Sequence, residues 1–187
     1  MNNDRIQVCA EWLWERPIRA IAFGFGAGLA PTAPGTVGTL WAWALALVAN
    51  IFFPELDTLT LLGLLLAGFV LGVWACGHAG NDLGQPDHGG MVWDEMIAFW
   101  LILVFIMPTG FLNQFIAFLL FRFFDAVKPG PIHSIDNFFK HWRPNSETQE
   151  RFATHVRGFG VMIDDLAAAF FTIVFYAILV RFHLISA

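Results

Sequence analysis

Five apolar runs, bounded by carboxylates and by Gly/Pro turns, constrain this chain more than any other feature. They are Thr39 to Phe53, Leu59 to Ala75, Met96 to Met107, Phe111 to Phe124 and Leu166 to Phe182. Asp94 and Glu95 stand where the Gly-rich stretch GQPDHGG (Gly84 to Gly90) turns into the third run. Asp82 follows the second run, Asp125 follows the fourth, and Asp164 with Asp165 precedes the fifth. A charge at such a boundary is costly to desolvate, so it should be solvated, paired or bound to a cation.

At a rise of about 1.5 Å per residue, the second run nearly crosses a hydrocarbon core of about 30 Å, and the fifth does so with its flanks. The first needs help from its flanks or a thinner bilayer. The third and fourth are short and are joined by Pro108-Thr109-Gly110, which predicts an antiparallel hairpin that is either partly buried in protein or only partly inserted in the bilayer. Of the 187 residues, 57% are hydrophobic and 13% charged, against about 25% charged in ordinary soluble domains. The expectation is one all-α, multi-pass membrane domain over residues 1–187, with four to five embedded helices. Residues 1–20, with Ile6, Val8, Trp12, Leu13 and Trp14 among charges, predict a short amphipathic helix ended by Pro17.

The 21 Phe and 8 Trp are expected to face lipid and the headgroup level. The net charge of -5 comes with no basic cluster and no nucleic-acid motif, so a nucleic-acid partner is not expected. Cys9 and Cys76 fit neither a metal pair nor a redox motif, and the N-terminus carries no cleavable signal pattern. Nothing in the residues specifies an oligomeric state. Arg5, Arg16 and Arg19 precede the first run, and Lys128, Lys140, Arg143, Arg151 and Arg157 lie between the fourth and fifth. The positive-inside rule puts both regions in the cytoplasm, which brings the boundary carboxylates to one face of the membrane.

The segment FGFGAGLAPTAPGTVG (Phe23 to Gly38) predicts an ordered, sharply turning loop. It lacks the third glycine of a dinucleotide fingerprint. Pro34 to Gly38 precedes a helix, whose free N–H groups could hold a phosphate with Thr36 or Thr39; a plain turn with a threonine cap fits equally well.

Six converging carboxylates, Asp82, Asp94, Glu95, Asp125, Asp164 and Asp165, repel one another unless a cation sits among them, and all-oxygen ligation suits Mg²⁺. On a helix Asp94 and Glu95 diverge by about 100°, so they serve different partners. Arg122, Asp125 and Lys128 recur at i, i+3, which suits a carboxylate on a metal beside cations for a phosphate. Metal-assisted phosphoryl chemistry on a lipid headgroup is one outcome. Helix capping at Asp164 and Asp94, an ion pair of Asp125 with Lys128 or Arg122, and an ion or proton pathway in a small transporter are the others. Of the histidines, His88 beside Asp87 and then His78 are the candidate site neighbours; His133, His141, His155 and His183 read as interfacial or solvated.

Four segments in order, GFGAGLAPTAPGTVG (Gly24 to Gly38), HGGMVWDE (His88 to Glu95), FRFFDAVKPGPI (Phe121 to Ile132) and GFGVMIDDL (Gly158 to Leu166), resemble the phosphatidylglycerophosphatase A family. The resemblance implies a Mg²⁺-dependent enzyme of the bacterial inner membrane that converts phosphatidylglycerophosphate to phosphatidylglycerol and inorganic phosphate. It carries the family's acidic positions to Asp82, Asp94, Glu95, Asp125, Asp164 and Asp165, and its basic position to Lys128. Residues 137–157 are longer and more charged than the family pattern and are expected to form an extra cytoplasmic helix or loop. In the expected mechanism the acids hold Mg²⁺, while Lys128, Arg122 and the Pro34 to Gly38 backbone, with Thr36 and Gly38, hold the phosphate. Direct attack by water and an aspartyl-phosphate on Asp94 or Asp125 are both open.

Overall fold

The computed structural model describes residues 8–185, which are all-helical with no strand. Part of the expected N-terminal amphipathic helix, residues 1–7, lies outside the described residues. The rest forms two short helices instead of one, α1 (Ala10–Trp14) and α2 (Pro17–Ala22). Pro17 starts the second of them, where its missing N–H costs nothing. A tight 3-10 stretch (Gly24–Leu29) follows, broken at Phe25 and Gly26 by positive φ.

Six longer helices come next: α3 (Pro34–Phe52), α4 (Thr58–Leu83), α5 (Trp93–Ile106), α6 (Phe111–Val127), α7 (Pro131–His141) and α8 (Glu147–Arg181). Local signals set their ends. Asp57 caps α4 by accepting from Thr60 N (2.9 Å), and left-handed Gly84 stops it. Ser146 caps α8, and Glu147 and Glu150 complement its N-terminal dipole.

Helix α8 is the largest departure from the apolar-run reading. It starts well before Leu166, so residues 147–157 are its first turns and Asp164 and Asp165 sit in mid-helix. That removes the capping explanation for Asp164. Nothing between the Ser146 cap and Arg181 breaks a helix strongly enough to end it, and Gly158 has a packing role instead. A Cβ there would lie 2.9 Å from Gly77 N, so α4 and α8 touch backbone to backbone at this crossing.

Helices α3, α4 and α8 are long and apolar enough to cross a membrane. Helices α5 and α6, of 14 and 17 residues, reach only about 21 and 25 Å. Helix α5 needs no lipid: Met96, Ile97, Ala98, Phe99, Ile102, Leu103 and Ile106 are all buried where α3, α4, α6 and α8 pack around it.

Helix α4 changes character along its length. Leu59, Leu64, Leu66 and Val70 are exposed, whereas Ala75, Cys76, Gly77, Ala79 and Gly80 are buried. Exposed apolar side chains also line α3 (Leu47, Ile51), α6 (Leu112, Phe115, Leu119) and α8 (Phe170, Val174, Ile178). A belt of this extent suits lipid and not water. Past it, the second half of α4 and the first half of α8 continue into a cap, with α2 packed on α4 and α7 on α8.

The tryptophans depart from their interfacial expectation. Trp14, Trp41 and Trp74 are exposed, but Trp12, Trp43 and Trp93 are buried. Indole N–H groups tie helices together: Trp43 to Gln114 Oε1 (2.7 Å), Trp93 to Gly68 O (2.9 Å) and Trp100 to Ala42 O (2.7 Å). A buried indole needs an acceptor, and in a bundle the nearest acceptors belong to neighbouring helices.

Candidate active site

Where the lipid-facing belt meets the cap, four elements converge: the first turns of α3 and α5, the last turn of α6 and the middle of α8. Arg122 is the first centre. Its Nη1 lies 2.8 Å from Asp125 Oδ2, 3.2 Å from Glu95 Oε2 and 3.4 Å from Thr39 Oγ1. Nη1 makes the approach in each of these contacts. The i, i+3 spacing therefore pairs Asp125 with Arg122 and not with Lys128.

Glu95 rests against the start of α3. A Cβ on Gly35 would lie 2.6 Å from Glu95 Oε2, so only glycine lets the carboxylate in. Thr39, fully buried, donates to Gly35 O (2.9 Å) and stands 3.3 Å from the same Glu95 oxygen. Thr36 is half-buried in the first turn. Gly38 instead packs on Val92, one turn further in. Val37 N already bonds to Ala33 O (3.2 Å), so the free N–H groups belong to Gly35 and Thr36 and not to Gly38.

Lys128 is the second centre. It ends α6 in the left-handed conformation (φ 45°, ψ 58°), which turns its side chain away from the Arg122 row. Its ammonium bonds to Asp164 on α8 and to Asp136 Oδ1 on α7 (3.0 Å). Asp136 Oδ2 accepts from Lys140 (2.9 Å), and Lys140 reaches Asp87 at 3.5 Å. Burial opposes the Lys128 charge, but the Asp164 carboxylate and the bonds to Asp164 and Asp136 outweigh it and hold the ammonium above the ordinary lysine value. Burial likewise pushes Asp136 up, and the hydrogen bonds from Lys140 and Lys128 overcome it to leave the carboxyl below its usual value. Lys140 is raised for the reciprocal reason.

Between the two centres lie Asp94 and Asp165, 8% and 4% exposed. Among the described residues, Asp94 Oδ1 accepts only from Glu95 N (3.0 Å), and Asp165 Oδ2 is buried with no hydrogen-bond partner. A buried carboxylate group without a base needs a cation or a proton. Among the described residues no three acidic, histidine or cysteine side chains stand close enough to hold a metal as they are. Arg122 and Lys128 engage the carboxylates that flank the pair.

Three sequence candidates sit apart. Asp82 is bound by Arg19 (2.8 Å) and Arg16 (3.3 Å), which pin α2 onto the end of α4. His88 Nδ1 accepts from Gly90 N (3.0 Å) with its ring beside Phe23, which shapes the loop before α5. His78 is occupied by Trp74 O (2.9 Å). Sequence reasoning passed over Asp136. Its i, i+4 spacing to Lys140 signalled an ion pair, but not the approach to Lys128 across the α6–α7 turn.

Residues 20–144 match the family described as Phosphatidylglycerophosphatase A. A Haemophilus influenzae Phosphatidylglycerophosphatase A is 36% identical over 158 residues, covering 84% of this chain and 85% of the relative. The Escherichia coli protein of the same name is 32% identical, covering 81% and 77%. A Bacteroides thetaiotaomicron protein provisionally named a phosphatidylinositol-3-phosphatase is 30% identical, covering 84% and 90%. No solved structure matches the chain. With its acids gathered at the membrane end of a helical bundle and two thirds of its length matched, the chain belongs to the phosphatidylglycerophosphatase A family.

Proposed function

We propose that this protein hydrolyses phosphatidylglycerophosphate to phosphatidylglycerol and inorganic phosphate, with Mg²⁺ as cofactor, in glycerophospholipid biosynthesis. The names of two relatives support the substrate. The observation that carries the reading is the buried Asp94–Asp165 pair, flanked by Glu95, Asp125 and Asp164 and bracketed by Arg122 and Lys128. Its place at the junction of belt and cap suits a headgroup whose acyl chains stay in the bilayer. The basic residues of the cap, Arg16, Arg19, Lys128, Lys140, Arg143, Arg151 and Arg157, favour the cytoplasmic face of a bacterial inner membrane.

The donor set fits Mg²⁺ in chemistry. It is all oxygen, and the unpartnered Asp165 Oδ2 is what a divalent ion would satisfy. Asp94 and Asp165 would hold the ion, with Glu95, Asp125 and Asp164 beside them directly or through water. When bound, it would supply charge neutralisation at the transferring phosphoryl group. Arg122 and the third N–H of Lys128 would orient the phosphate oxygens, together with the Gly35 and Thr36 N–H groups at the start of α3. Water attacks phosphorus in line, an O–P bond forms, the P–O bond to glycerol breaks, and the glycerol oxygen leaves with a proton. An ion pathway is disfavoured, because beyond the cluster α5 is packed with Phe99, Ile102, Leu103 and Ile106.

The test is phosphate release from phosphatidylglycerophosphate in detergent micelles, with Mg²⁺ or with EDTA, beside a phosphatidylinositol-3-phosphate arm. Metal-dependent release from the first lipid alone is expected. Faster release from the inositol lipid would reassign the substrate, and no release from either by folded protein would reject the phosphatase reading. A phosphorylated Asp94 or Asp125 trapped during turnover would replace direct water attack.

A further inference from the structure

We infer that Asp136 is a positioning residue that aims the Lys128 ammonium at the phosphate; this rests on the phosphatase reading above. Asp136 belongs to a peripheral helix, yet it is only 8% exposed and both of its oxygens are used, by Lys128 (3.0 Å) and Lys140 (2.9 Å). Buried ionic groups are costly, and an apolar residue would seat a helix of this kind as well. Seating α7 therefore does not by itself call for a carboxylate here. Ile132, fully buried, and Phe139, against Gly160, already anchor the helix.

The geometry at Lys128 supplies the reason. An ammonium has three donors. Asp164 takes one from α8 and Asp136 takes another from α7, so the direction of the third is set by two carboxylates on different helices. Because Lys128 stands past the end of α6 in a left-handed conformation, its own helix does not fix the side chain. Lys140 extends the chain of contacts to Asp87, in the loop that leads into Asp94. A cleft of about 30 Å³ lined by Asp87, Asp136, Lys140, Arg157 and Asp164 lies beside this chain.

The test uses the full-length protein in detergent micelles, comparing wild type, Asp136→Asn, Asp136→Glu, Lys128→Ala and the Asp136→Asn/Lys128→Ala double variant. Asp136→Asn is expected to lower kcat about tenfold or more with KM nearly unchanged, and Asp136→Glu to recover part of the loss. In the Lys128→Ala background the Asn substitution should cost nothing further, because it acts through the missing ammonium. An equal loss in both backgrounds, or an unchanged kcat, overturns the proposal. A second readout is acylation of Lys128 by an amine-directed reagent, followed by mass spectrometry. Asp136→Asn should speed labelling several-fold, and an unchanged rate denies the tether. If the wild-type protein releases no phosphate, the phosphatase reading fails, and the positioning role fails with it. A labelling difference would then mark a structural contact only.

Discussion

Arg122 and Lys128 close the same end of α6 less than two turns apart, and each side chain is 21% exposed, yet they are held in opposite ways. The partners of Arg122 come from the bundle itself: Thr39 on α3, Glu95 on α5 and Asp125 on its own helix. Lys128 is shared between the bundle and its edge, held by Asp164 on α8 and by Asp136 on peripheral α7. One cation is thus part of the packing that makes the bundle. The other is hung on an element that packs mainly against α8. The difference teaches that similar charge clusters can divide labour, one supporting the fold and one available to be tuned.

The largest effect is expected at the acids between the two centres. Asp94→Asn and Asp165→Asn should each cut phosphate release by about a thousandfold, since metal stabilisation of the transition state is worth several kcal/mol. Thermal unfolding should hold or rise, because each change removes a buried charge. Equal activity in either variant would move the chemistry to one of the flanking centres. Next is Gly35→Ala, which touches only the Arg122 side. A Cβ 2.6 Å from Glu95 Oε2 must push the carboxylate away, and a displacement near 1 Å can cost about a hundredfold in rate. Activity at the wild-type level would show that the Glu95 position does not matter.

Legibility in the sequence follows the range of the interactions. The five apolar runs became the α3–α6 helices and the second half of α8, and alternate threading placed Asp94, Glu95, Asp125, Asp164 and Asp165 at one end of the bundle. These features depend on local hydrophobicity and on chain direction, which a single sequence carries. The pairing of Asp82 with Arg16 and Arg19 is not legible in the same way, because these partners are 66 and 63 residues away, at a helix that folds back onto α4. Gly38 looked like a phosphate contact while Gly35 holds the tighter approach, a matter of one helical turn that only the packing of Val92 and Glu95 decides. Asp136 was invisible as a site neighbour because the α6–α7 turn, not periodicity, brings it to Lys128.

Unfolding measurements sharpen the comparison between the cations directly. Arg122→Gln leaves Glu95 and Asp125 facing each other in the bundle without their base, and breaking such a buried set costs about 3 kcal/mol. Lys128→Gln loses hydrogen bonds to charged groups at the edge of the cap, worth about 1–2 kcal/mol. Melting temperatures in one detergent should therefore fall further for Arg122→Gln than for Lys128→Gln. The reverse order would mean that the cap, and not the bundle, limits stability.

The smallest effect is the pH response of the α7 tether. Asp136 is held below its ordinary value of 3.8, so its contribution to docking is complete above that pH and is lost as the pH falls through the lower folded value. Lys128 and Lys140 are raised above 10.5, so their contribution is complete below that pH and is lost only as it rises through their higher folded values. The two windows overlap across the whole neutral range. Hydrogen exchange of α7 amides, once corrected for the intrinsic rate, should accordingly stay flat from about pH 5 to 9. Asp136→Asn should raise exchange throughout that range, because one partner of the tether is then uncharged at every pH. A wild-type step near neutral pH would mean that a group other than the Asp136–Lys128–Lys140 set governs docking of α7.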